Sequence, residues 1–155
     1  MLSISEFRVG DVAEAPLGSL ILPRSTREQP GLIGQAEDVP YFVFLNARSN
    51  FGAFKQSVRL RNPGIIIPNV SVEVDESSVG EYDAWETRAG SFVFEGGKAG
   101  VLAGDMRTEG VGRFVVTVAD VTRSEVSVSF SRWQVVLGSG RDRKVLLSID
   151  AIPSA

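Results

Sequence analysis

The chain contains no cysteine and no histidine. Without cysteine there are no disulfides, no thiolate nucleophile and no cysteine-held metal. Without histidine, Ser-His-Asp and Cys-His catalysis both lack their base, and zinc loses its preferred ligands. A general acid or base here has to be a carboxylate, lysine or tyrosine with a shifted pKa. A bound metal has to be a hard cation held by oxygens, and no such cofactor is required by the sequence. Long apolar runs are missing too, and no segment reaches membrane-spanning length. The N-terminal "MLSISEFRVGDVAEA" lacks the basic region and apolar core of a signal peptide. The expectation is a protein made and kept in the cytoplasm, with the Asn69-Val70-Ser71 sequon idle. Sustained helical periodicity and internal repeats are also absent.

What is present reads as β-structure. The 155 residues suit a single domain over 1–155, and 43% hydrophobic with 23% charged residues is an ordinary globular balance. Sixteen glycines and seven prolines punctuate the sequence. Period-two alternation runs from about residue 56 onward, in "QSVRLRN", "NVSVEVD", "GSFVFEGG", "GRFVVTVADV" and "KVLLSI". In "EVSVSFSRWQVVLG" the phase changes, which calls for a bulge near Ser131–Arg132 or a strand crossing between two sheets. Residues 1–55 are less regular; "GSLILP" and "YFVFLNA" read as strands around the turn-rich "RSTREQPGLIGQAEDVP". Pro68 marks an edge or a bulge. The expected fold is all-β: an antiparallel β-sandwich or jelly roll of about 8–10 short strands. At most one short helix is expected, around 79–88, where Ser78 and Glu81 would form a capping box and Gly90 a stop.

"DESSVGEYDAWE", residues 75–86, meets an EF-hand loop at its acidic first position, glycine sixth and glutamate twelfth. Val79 fills a position that needs an oxygen, and the flanks are strands where helices are required. Asp75, Asp83 and Glu86 remain weak calcium candidates. The same segment, with Trp85 as a flat platform, could serve a carbohydrate-binding module. Its paired carboxylates could also serve a histidine-free glycoside hydrolase, although no deep cleft is apparent. "EGGKAGVLAG" lacks Walker A spacing and reads as a glycine-rich β connection.

Charge is unevenly placed. Residues 73–86 hold six acids and no base, which leaves the rest of a chain of net charge −3 at +3. "RSNFGAFKQSVRLR" holds Arg48, Lys55, Arg59 and Arg61 with no acid. Its interleaved Phe51 and Phe54 suggest nucleic acid, but the overall acidity argues against that partner. The leading expectation is therefore a non-catalytic interaction or assembly module that self-associates, a subunit of a homo-oligomer or of a particle such as a virion. Arg48, Arg59 and Arg61 would meet Asp75, Glu81, Asp83 and Glu86 of another copy, beside Trp85.

Overall fold

Four short stretches carry apolar side chains at successive positions: Leu20-Ile21-Leu22, Leu32-Ile33, Tyr41-Phe42-Val43 and Ile65-Ile66-Ile67. A strand with no polar face has to be buried on both faces. The computed structural model, which describes residues 1–24, 29–46, 51–56, 63–105, 112–122 and 126–151, places these stretches in that situation. They form β2 (Leu20–Leu22), β3 (Gly31–Ala36), β4 (Val39–Phe44) and β6 (Pro63–Ile67). Leu20, Leu32, Tyr41, Val43 and Ile67 enter the main core. Their neighbours Ile21, Ile33, Phe42 and Ile66 enter a second core with Val12 and Ala15 on the opposite face.

The centre is a closed five-stranded barrel. β3 turns into β4 through a two-residue hairpin, and β4 pairs with β5 (Gly52–Lys55). β5 lies parallel to β10 (Lys98–Asp105), which pairs with β11 (Arg113–Asp120). β11 returns to β3 at Gln35↔Thr117 and closes the ring. The parallel pair needs a long crossover, and the chain between Lys55 and Lys98 supplies it. Closure depends on two glycines. A Cβ on Gly100 would lie 2.1 Å from the Val116 carbonyl oxygen, and one on Gly34 would lie 2.6 Å from Val116 Cγ1 and 2.7 Å from the Thr117 oxygen.

Two wings extend from the ring. β1 (Arg8–Asp11) and β6 continue from β2 beside the first half of β3. β9 (Phe92–Glu95), β12 (Val128–Phe130) and β8 (Val79–Glu81) continue from the first half of β10. A separate sheet, β7 (Val70–Val74), β13 (Arg132–Leu137) and β14 (Lys144–Asp150), packs its Val72, Trp133, Val135 and Ile149 side chains into the main core. Trp133 donates its indole N–H to the Gly90 carbonyl at 2.8 Å, which satisfies the polar end of a buried ring.

The all-β class follows the sequence pattern, but several details differ from it. Fourteen strands occur among the described residues, more than the eight to ten expected, and their centre is a barrel with wings. No helix forms at 79–88: Val79–Glu81 is a strand and the following residues are turns. The only helical geometry nearby is a single 3-10 turn, Glu76–Ser78, capped by Asp75, whose carboxylate accepts from Ser77 N–H. Pro68 separates β6 from β7, which belong to different sheets. The phase change at Ser131 is the passage from β12 in the large sheet to β13 in the small one. The strand read at "QSVRLRN" falls outside the described residues after Gln56.

The barrel seam leads to a stability prediction. Gly100→Ala forces a methyl into a backbone carbonyl and lowers stability by about 3 kcal/mol. Gly96→Ala, at a turn position of φ +58° with nothing within 4 Å, costs only the left-handed backbone penalty of about 1 kcal/mol. Denaturant midpoints measure both variants; equal costs would remove the seam as a constraint.

Candidate functional surface

The acidic segment divides into a neutralised part and an open part. Glu73, on β7, makes a bidentate pair with Arg143, with Nη2–Oε1 at 2.7 Å and Nε–Oε2 at 2.8 Å. Asp75 accepts from the Arg132 Nε–H at 3.0 Å and from the Ser77 hydroxyl at 2.6 Å. Hydrogen bonds from these partners lower both carboxyl pKa values. Two of the six acids thus already have cationic partners from distant parts of the sequence. Arg48, Arg59 and Arg61 lie outside the described residues.

Beyond Asp75 the chain reaches the end of the large sheet. β8 pairs with β12 on one side, and no strand among the described residues covers its other side. Tyr82 N–H reaches the Ser127 carbonyl and Ser131 N–H the Ser78 carbonyl, both at 3.4 Å. That alternation turns the Val79 carbonyl and the Glu81 N–H away from β12; the Glu81 carbonyl accepts from the Ser129 hydroxyl at 3.5 Å, and Val79 N–H closes the 3-10 turn on Glu76. The three residues of β8 are exposed, with Val79 at 55%.

The turn after β8 is fixed from two sides. The Asp83 carboxylate accepts from Trp85 N–H at 2.8 Å and Glu86 N–H at 3.0 Å. Those two bonds hold its pKa down, with a smaller contribution from Arg113. From β11 the Arg113 guanidinium donates to the Ala84 and Thr87 carbonyls. The clamped turn leaves Trp85 88% exposed, with Glu86 exposed beside it. Tyr82 is half-buried, and desolvation, followed by the Glu95 charge, raises its hydroxyl pKa.

An apolar groove of about 500 Å³ lies on the same wing, lined by Phe94, Val121, Val126, Val128 and Phe130. Phe94 and Phe130 meet edge to face at 5.7 Å. The pairing of Phe130 with Val79 puts both on one face of the sheet, so the groove runs toward the open edge.

The structure therefore brings Glu81, Asp83, Trp85 and Glu86 to one surface and binds Asp75 into an ion pair beside it. The arginines that organise this surface, Arg113, Arg132 and Arg143, are not apparent from local windows because each acts across 26 or more residues. Among the described residues no group of three or more acids is placed to hold a metal. Phe51 is buried against Gly90, and Phe54 packs on Phe42 and Phe44 in the second core. Among the described residues, no helix is long and apolar enough to cross a membrane.

Comparison with known proteins places the chain among relatives. The model of a family described as "Uncharacterised protein y4lG" matches residues 9–155. "Uncharacterized protein y4lG" of Sinorhizobium fredii (strain NBRC 101917 / NGR234) is 35% identical over 150 residues, covering 94% of this chain and 91% of that one. No solved structure matches.

The Asp83 cap has a definite pH signature. A carboxyl whose folded pKa lies below its unfolded value contributes stability above the unfolded value and loses it as the pH falls through the folded one. The cap is therefore complete above the ordinary aspartate value of 3.8 and is lost only at more acid pH. NMR titration should give Asp83 a midpoint below 3.8, with the Trp85 and Glu86 amide signals moving at the same pH. A midpoint at or above 3.8 rules out the cap.

Proposed function

The chain belongs to the y4lG family, and from that premise we propose that it is a non-catalytic protein-contact module working through the β8 edge. One observation carries this reading. A strand edge that no described strand covers, an 88% exposed tryptophan and the exposed carboxylates of Glu76, Glu81 and Glu86 share one end of the large sheet. Open backbone groups on an edge accept another strand. Exposed tryptophan supplies the kind of contact that dominates interface energetics. The carboxylates select for a partner of opposite sign.

The partner is basic, and residues 48–61 of the chain hold four bases and no acid. A contact between the acidic edge of one copy and that segment of the next is heterologous, so it closes into a ring or propagates. The protein would then be a subunit of a homo-oligomer or larger particle, made and kept in the cytoplasm, with a virion-like shell as one concrete form.

Trp85 beside carboxylates also favours a second reading, a carbohydrate platform. Light scattering at low and high ionic strength tests the first. The expected mass exceeds the monomer at low salt, falls as salt screens the contact, and returns to the monomer in Val79→Lys and Trp85→Ala variants. A monomer at both ionic strengths overturns self-association. A melting temperature raised by a glycan panel and unmoved by salt selects the carbohydrate reading.

A further inference from the structure

The barrel carries a second concavity that the contact function does not use. Residues of the β3–β4 hairpin and of β9, β10 and β11 line a cavity of about 380 Å³, within the size range of small-ligand sites. Tyr41 and Phe114, in edge-to-face contact at 5.0 Å, form its aromatic wall. Glu37 and Asp38 at the hairpin tip form its lip, and Glu95 and Lys98 complete the lining. Lys98 stands directly opposite Glu95 in the β9–β10 register, so these two offset each other. The lip carboxylates remain as the excess charge.

The lip is also conformationally unusual. Ala36 pairs with Val39, and the two residues between them have φ +51° and +63°. This is the pattern of a type I′ turn, in which Asn-Gly is the favoured pair. The chain places two acids there at a cost in backbone strain. Stability alone does not explain that choice.

We propose that this cavity binds a small organic cation, an ammonium or guanidinium group on a short apolar body. The carboxylate lip attracts the cationic head, and the Tyr41–Phe114 wall receives the body and contributes cation–π attraction. An anion meets the excess negative charge and is repelled. A metal ion is a poorer fit, because no group of three or more acids among the described residues is placed to hold one. The inference does not rest on the contact function proposed above, and either can fail alone.

The test uses the intact protein with agmatine and butylammonium as probes, and butyrate and glucose as matched controls. Thermal melting and calorimetry should show a concentration-dependent rise in Tm and measurable heat with agmatine, a smaller response with butylammonium, and none with the controls. The double variant Glu37→Asn, Asp38→Gly installs the favoured turn, so its ligand-free Tm rises while its response to agmatine disappears. Lys98→Gln removes the opposing cation and tightens agmatine severalfold. Three results overturn the proposal: no amine response in the parent protein, an equal response in the double variant, or a response to butyrate or glucose matching that of agmatine.

Discussion

Everything in this fold hangs on the narrow space around Val116. Gly34 approaches it from β3 and Gly100 from β10, each closer than any side chain allows. Those two absences let β11 join two strands that would otherwise diverge, and the sheet closes on itself. Closure satisfies the backbone of the central strands without a covering layer. It also forces the remaining strands outward, because β3 and β10 each have half of one edge left over. The wings, and so the open β8 edge, are consequences of the seam.

The seam also accounts for what the sequence disclosed and what it hid. Strands with one buried face alternate, and "GRFVVTVADV" and "KVLLSI" were legible for that reason. The passage between sheets at Ser131 was visible as a break in phase. By contrast β3, the strand shared by barrel and wing, lay within a stretch that reads as turns. Gly31 and Gly34 carry no side chain to mark a period there. Gly31 leaves its place to the Phe42 ring, which a Cβ would meet at 2.1 Å. Strands buried on both faces show no alternation at all, so the first third of the chain looked irregular although it contributes five strands. The expected helix at 79–88 failed differently. Ser78 and Glu81 have capping-box spacing, but Val79–Glu81 is drawn into extended pairing with β12, and Ser78 N–H bonds the Asp75 carbonyl in the 3-10 turn before it.

The candidate surface was legible as charge and illegible as geometry. A run of six acids is plain in the sequence, but which of them are already neutralised depends on Arg132 and Arg143, delivered by β13 and by the turn before β14. Trp85 and Trp133 are alike in composition and opposite in fate. One sits on a turn clamped by Arg113, and the other alternates with Val135 and Leu137 into the core. Alternation placed Trp133 correctly, whereas no local rule applies to a turn held by a residue 29 positions away. Glu37 and Asp38 carry no local signal of their turn, because a positive φ leaves no trace in residue type unless glycine or asparagine occupies it.

An exposed strand edge is a hazard, since it invites pairing with any other edge. Carboxylates around β8 restrict that invitation. Two copies meeting edge to edge at Gly80 would bring Glu81, Asp83 and Glu86 of each toward those of the other, and like charges at that range oppose the contact. A basic strand meets no such opposition and gains from the same groups. In the contact function proposed for this edge, the acids would act less as a source of affinity than as a filter, opposing the symmetric self-pairing that an uncharged edge would permit. On this account the open edge survives in the molecule because its charge decides what can approach it.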